Sequence, residues 1–115
     1  HSLITGSYSN SDWAEPIVSK LMEKIPHEQI IRAKVNFYPR THEIVKHNFH
    51  TDRDNFPVKA ALFYVNNNDG YTSFEDDGFI SSIRNRMLLF NGKERHRSTT
   101  CTNANARINI NINYN

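Results

Sequence analysis

The sequence predicts a mainly β domain, a sandwich or barrel carrying one helix on one face. Three observations predict it. Only one stretch, residues 12–25, repeats its apolar residues at helical spacing. Beyond Pro26 the chain turns β-branched and aromatic, and short apolar runs alternate with Gly, Asn, Asp and Pro turn signals. The last ten residues, ARINININYN (106–115), hold to a strict period of two. One helix followed by six or more short strands suits a two-layer β architecture.

Taken in order, residues 1–10 are polar and show no pattern. Ser11 can cap the helix, with Asp12 and Glu15 in its first turn and Pro16 near its start. Trp13, Ile17, Leu21, Met22 and Ile25 then form an apolar stripe for packing on a sheet. The helix ends before Pro26, because the residue preceding a proline avoids the α region. Ile30 to Tyr38 reads as the first long strand, and PRTHE as a turn. EIVKHNFHTD (43–52) is a second extended segment and VKAALFYVN (58–66) a third. NNNDG (66–70) is a turn, and YTSFEDDG a short strand with an acidic turn. RNRMLLFNG (84–92) is a strand closed by Asn-Gly, a favoured hairpin turn. In the final strand Arg107, Asn109, Asn111 and Asn113 share one face, and Ile108, Ile110 and Ile112 the other.

The 115 residues suffice for one domain, 1–115, with a modest core. The apolar fraction is 37%, and a mean hydropathy of −0.68 is polar for a globular chain. Seven Phe and five Tyr nevertheless argue against disorder. A net charge of +2 neither demands nor excludes a nucleic-acid partner. One cysteine, Cys101, rules out an internal disulfide and points to a reducing, cytoplasmic compartment. No apolar run of eighteen residues, no signal peptide and no Asn-x-Ser/Thr sequon is evident, so neither a membrane partner nor secretion is expected.

The stretch HNFHTDRD (47–54) carries the chemistry. In a strand, residues two apart face the same way, so His50 and Asp52 project together while His47 faces away. An imidazole and a carboxylate on one face suit a divalent transition metal. A third ligand, His96 in NGKERHRST, completes a two-His, one-carboxylate set. Such a facial triad leaves three metal positions open. Arg107, at the start of a polar strand face, needs an anionic partner if that face lines a cavity. A carboxylate co-substrate would supply one through a bidentate fork.

The set NFY, HTD, LFYVNNNDGYT, NRMLLFNGKERH and a final Arg resembles the 2-oxoglutarate and Fe(II)-dependent oxygenases of the prolyl-hydroxylase type. Within that superfamily it is most similar to short oxygenases encoded by marine tailed phages. The resemblance covers about residues 30–115. Its signature is His-x-Asp, a distal His, and an Arg or Lys about ten residues later; here Arg107 follows His96 by eleven positions. It implies a double-stranded β-helix, a cupin-like jelly roll with the N-terminal helix on one sheet. It implies Fe(II) on His50, Asp52 and His96, and the distal carboxylate of 2-oxoglutarate on Arg107 and Tyr64. Tyr38 would line the co-substrate pocket with Asn36 beside it. The activity implied is hydroxylation with O2, releasing succinate and CO2, with ascorbate as a supporting reductant. Asp52 favours this outcome, because related halogenases carry a small residue there. A peptidyl prolyl, another amino-acid side chain or a small molecule would be the substrate. For a phage protein the compartment would be the host cytoplasm.

Other readings rank lower. HEIVKH (42–47) has three residues between Glu43 and His47, which spoils the two-histidine helix face of a zinc protease. NNNDG and EDDG lack the ligand order of a calcium loop. His27, His42 and Cys101 read as bystanders. Arg84, Arg86, Lys93, Arg95 and Arg97 flank His96 as a solvated rim or as an entrance for an anionic substrate. Nucleic-acid demethylases of the same superfamily share Asn-x-Tyr and Arg-x-Asn. They usually carry a second Arg where this chain has Asn113, and a lid for which there is little room. A cupin-like module that holds metal without turnover is the alternative outside catalysis.

Overall fold

The computed structural model describes residues 2–5, 8–9, 14–52, 58–76 and 78–115. Ser11, Asp12 and Trp13, expected at the helix start, lie outside these residues, as does Asp77 of the acidic turn. The elements in chain order are β1 (Ser2–Thr5), β2 (Tyr8–Ser9), α1 (Ala14–Met22), β3 (Ile30–Pro39), β4 (Lys59–Tyr64), β5 (Tyr71–Phe74), β6 (Phe79–Ser81), β7 (Met87–Asn91), β8 (His96–Ser98) and β9 (Ala106–Tyr114). They form a six-stranded sheet in the order β2-β1-β3-β9-β4-β7 and a three-stranded sheet in the order β6-β5-β8. Neighbours pair antiparallel throughout. This is the predicted mainly β, jelly-roll sandwich with one helix.

The alternation of β9 decides where everything else goes. β9 is the central strand of the large sheet, with β3 on one side and β4 on the other. Its isoleucine face is the outer face. Ile110 and Ile112 pack there with Ala33 of β3, Ala61 of β4, and Ala14, Val18 and Met22 of α1. The apolar core therefore lies between helix and sheet. Each large side chain buried there contributes about 1.5–3 kcal/mol. The inner face, towards the small sheet, is polar.

The helix is shorter than the 12–25 expected. It ends at Met22, and Ile25 follows in a turn whose N–H donates to the Met22 carbonyl at 3.0 Å. Its buried stripe is Ala14, Val18 and Met22, with Leu21 and Ile25 partly covered. Ile17, which was expected in the stripe, is exposed. A four-residue step from Ala14 lands on Val18, one position past it.

Three further expectations are corrected. Residues 1–10 are not featureless, since β1 and β2 pair as a hairpin at one edge of the large sheet. The strand read at 84–92 begins only at Met87, after a turn in which Asn85 takes a left-handed φ of 69°. The Asn91-Gly92 turn does not join two paired strands. It carries the chain from β7 in the large sheet to β8 in the small one.

The segment 43–52 is extended but forms no regular strand. It runs antiparallel beside β8 through isolated bridges at Lys46–Thr99 and His50–His96. His47 N–H donates to Ser98 O, His50 N–H to His96 O, and Asp52 N–H to Gly92 O. Three residues separate His47 from His50 while two separate Ser98 from His96. The ladder thus carries one extra residue, a bulge.

Candidate metal centre

The polar inner face and the small sheet enclose a cavity of about 270 Å³. Arg32, Lys34, Asn36 and Tyr38 of β3 form one wall, Asn109 and Asn111 of β9 the next, and His50, Asp52 and His96 one end. The β3 and β9 residues follow the period-two alternation of their strands.

His50 and His96 exchange backbone hydrogen bonds at 2.9 Å each way, which sets their rings side by side with centroids 4.4 Å apart. Asp52 follows two residues on, fixed by its N–H to Gly92 O at 2.7 Å. Only glycine fits at position 92: a Cβ would stand 2.8 Å from Val58 Cγ2 and 3.2 Å from Asp52 Cβ. The result is one point of convergence, with one ligand atom from each of the three residues within 4.8 Å of the others. Asp52 Oδ1 stands 3.6 Å from His50 Nε2 and 3.3 Å from His96 Nε2.

The donor set fits a divalent ion. His96 Nδ1 lies 2.7 Å from Glu94 O, and His50 Nδ1 3.5 Å from Asn48 O. A backbone carbonyl accepts from a protonated Nδ1, which leaves the Nε2 lone pair of each ring free for a metal. Asp52 is divided in the same way. Its Oδ2 accepts from Asn113 Nδ2 at 2.9 Å and from Asn111 Nδ2 at 3.4 Å, which leaves Oδ1 for the ion. Adjacent ligands about 2.1 Å from a metal stand about 3 Å apart, close to the spacings seen. The site is asymmetric in exposure. The His96 and Asp52 side chains are 7% and 2% exposed, and that of His50 is 54% exposed.

Charge in the site is set by these contacts. Burial pushes the Asp52 carboxyl up, but hydrogen bonds from His50, His96 and Asn113 outweigh it and hold the group well below the usual carboxylate range. The hydrogen bond to Asp52 raises His50 above its ordinary value, against the opposing effect of burial.

Arg107 occupies the far end of β9 and is fully buried. Its Nε donates to Ser82 Oγ at 2.9 Å and its Nη2 to Thr72 Oγ1 at 3.1 Å, while Nη1 donates to Ser98 Oγ and the Thr99 carbonyl. Thr72 and Ser98 line the cavity. No carboxylate among the described residues pairs with this guanidinium. Burial accordingly lowers its pKa. The Tyr64 hydroxyl donates to Thr72 Oγ1 at 2.8 Å, and the Tyr38 ring lies 5.5 Å from the guanidinium carbon. Asn36 lines the wall and donates from Nδ2 to Asn109 Oδ1 at 2.9 Å.

The structure thus brings His50, Asp52 and His96 to one end of the cavity and Tyr38 into its wall, while Arg107 and Tyr64 lie outside the lining and bond to its residues Thr72 and Ser98. It moves His47 from where strand parity put it. The bulge sets its ring against that of Tyr38, a residue of the cavity wall, centroid to centroid 5.1 Å. Of the five basic residues flanking His96, only Arg97 lines the cavity. Arg95 pairs with Glu75, and Arg86 donates to the Ser81 carbonyl. Sequence reasoning missed Arg32 and Lys34 as the cavity's other cations. Their signal was the period-two set Arg32, Lys34, Asn36, Tyr38. The remaining turn residues are structural: Asn66 bridges the Ala106 carbonyl and Ile108 N–H, and Asp69 accepts from Thr102. His42 is exposed, and Cys101 is buried with its Sγ 3.6 Å from Ala104 O.

Comparison with solved structures bears on the fold. A protein from Neisseria meningitidis superposes with a TM-score of 0.51 at 16% identity, covering 85% of this chain and 96% of that one. A cupin protein from Bacteroides fragilis gives 0.52 at 9% identity, covering 82% and 72%. The architecture is therefore of the cupin, jelly-roll type. No protein-family model and no curated protein matches the chain. No helix among the described residues is long and apolar enough to cross a membrane.

Proposed function

We propose that the protein is a 2-oxoglutarate-dependent, non-haem Fe(II) dioxygenase that hydroxylates an amino-acid side chain or a small molecule. One observation carries the reading. Two histidine Nε2 atoms and one carboxylate oxygen converge at one end of a cavity, and a buried arginine with no acidic partner among the described residues is hydrogen-bonded to Thr72 and Ser98 of the cavity lining.

Three protein donors leave half of an octahedron open, which is what a chelating co-substrate and O2 require. Bound Fe(II) would supply the activation of O2, chemistry that imidazole and carboxylate groups lack. The chain supplies placement. His50 and His96 would turn Nε2 to the metal, because backbone carbonyls hold their Nδ1 positions. Asn113 and Asn111 aim Asp52. Arg107, bonded to Thr72 and Ser98 of the cavity lining, would offer a guanidinium to the distal carboxylate of 2-oxoglutarate, with the Tyr64 hydroxyl on the same threonine. In the overall reaction one oxygen atom of O2 enters succinate and the other the product hydroxyl, with CO2 lost.

The test is succinate formation from 2-oxoglutarate with Fe(II) and ascorbate. His96→Ala is expected to abolish it. Arg107→Ala is expected to raise the KM for 2-oxoglutarate by about 10–100-fold, the value of a charge-assisted contact. Wild-type protein that forms no succinate, or an unchanged KM in Arg107→Ala, refutes the assignment.

A further inference from the structure

Beyond the triad and Arg107, the cavity holds charge that the proposed chemistry does not use. Lys34 and Arg32 line the β3 wall, both half-buried. Arg32 donates to Asn113 Oδ1 at 3.1 Å, and Lys34 makes no ion pair or side-chain hydrogen bond with any described residue. Among the lining residues the sole acid is Asp52, which is committed to the metal centre. With Arg97, three half-buried cations face one cavity, and no counter-charge among the described residues is left over for Lys34 and Arg32.

Their position excludes the co-substrate as their partner. The β3–β9 register is Tyr38 with Arg107, Asn36 with Asn109, Lys34 with Asn111, and Arg32 with Asn113. Arg107 thus marks one end of the wall. Lys34 lies four residues from Tyr38, about 13 Å along a strand. Opposite Lys34 and Arg32 stand Asn111 and Asn113, the two residues that hold Asp52. A 2-oxoglutarate chelated at the metal end and reaching for Arg107 runs away from these cations. They stand at the Asp52 end of the wall. Beside them, Asn111 Oδ1 is buried and has no hydrogen-bond partner. This acceptor, on the residue paired with Lys34 across the strands, suits a ligand with an oxyanion and an adjacent N–H or O–H.

We infer that the substrate to be hydroxylated carries a carboxylate that docks on Lys34 and Arg32, beside the carbon presented to the metal, with a neighbouring donor on Asn111 Oδ1. This rests on the oxygenase reading above. Both a free amino acid, through its α-carboxylate and amine, and an acidic peptide side chain, with its backbone N–H, have that chemistry.

The test uses the Fe(II)-loaded protein with 2-oxoglutarate and mass detection of a hydroxylated product, in two arms. One arm sets each free amino acid beside its α-amide. The other sets N-acetylated, C-amidated peptides containing Asp or Glu beside their Asn or Gln counterparts. Wild type is expected to favour the acid over the amide by about tenfold in kcat/KM, the size of one charge-assisted contact. The arm that yields product identifies the source. Lys34→Gln should erase the preference, mainly through KM, and Lys34→Arg should keep it. A ratio measured within each variant is insensitive to the fraction folded. Equal rates on acid and amide, a preference that survives in Lys34→Gln, or no product in either arm while succinate still forms, would each overturn the inference and leave the oxygenase reading standing. Absence of succinate under all conditions would overturn both.

Discussion

Replacing Asn113 by alanine isolates the question of what aims the carboxylate. Asn113 is fully buried on β9 and touches no metal position. Its Nδ2 donates to Asp52 Oδ2 at 2.9 Å, and its Oδ1 accepts from Arg32. Without it, Asp52 Oδ2 keeps only the 3.4 Å contact with Asn111. A hydrogen bond to a buried carboxylate contributes about 1.5–3 kcal/mol. Loss of such an outer contact lowers metal affinity by about 10–100-fold. That range is about 1.4–2.8 kcal/mol, so the two estimates agree. The assay is anaerobic calorimetric titration of Fe(II), or of Mn(II) as a redox-quiet substitute, into wild type and variant. Urea unfolding of the metal-free proteins runs beside it. Asn113→Ala is expected to bind metal 10–100-fold more weakly while remaining folded. Affinity within about twofold of wild type, in a variant that unfolds cooperatively, would refute the claim that Asp52 is a ligand held through this amide.

The two histidines should separate by burial. His96→Ala removes a ring packed 4.7 Å from the Phe90 ring, so it should cost both metal binding and about 2–4 kcal/mol of stability, whereas exposed His50→Ala should lose metal with little change in unfolding; equal stability losses would contradict the assignment. Gly70→Ala drives a Cβ against Arg107 Cδ and to within 2.7 Å of the Thr100 carbonyl, so a loss of about 1–3 kcal/mol and a raised KM for 2-oxoglutarate are expected, and an unaltered KM would show that the guanidinium is not held here. On pH, the folded pKa of His50 lies above its ordinary 6.5, so its bond to Asp52 stabilises metal-free protein fully below about pH 6.5 and that contribution fades as pH rises through the folded value. Thermal melting of metal-free protein from pH 6 to 9 should show a small decline that Asp52→Asn abolishes, and its persistence in that variant would assign it elsewhere.

What could be read from the sequence was whatever depended on local periodicity. The alternation of β9 announced both a face for the core and a polar face with an arginine at its start. A spacing of two put His50 with Asp52. What could not be read depended on partners distant in the chain. β6 and β8 have three residues each and are ordered by their neighbours across the sheet, not by any pattern of their own. Asn-Gly favours a tight turn whether the flanking strands pair or part, so the move from β7 to the other sheet left no mark. The parity argument for His47 assumed a regular strand, and one bulged residue reversed it. Lys34 and Arg32 were hidden for a simpler reason. In a half-buried strand an inward lysine looks like an outward one until the inner face is known to be polar.

That polarity follows from where the apolar core sits. A sandwich commonly buries its apolar faces between its sheets. Here the helix covers the outer face of the large sheet instead, and Ile110 and Ile112 are satisfied there. The inner face of β9 is then released from packing duty and carries Arg107, Asn109, Asn111 and Asn113 in a row. Buried amides and charges are tolerable only when they bond one another. They do so across the strands, from Arg32 through Asn113 to Asp52, and from Asn36 to Asn109. These bonds also fix the rotamers that a ligand would meet, so the polar lining is organised before anything binds. At the other end the network leaves an excess. Ser82, Thr72, Ser98 and the Thr99 carbonyl give the Arg107 guanidinium neutral acceptors, and no opposite charge among the described residues pairs with it. Neutral oxygens offset only part of the cost of burying a cation. An anion arriving at this end gains from an electrostatic preference that the empty fold has already been arranged to hold.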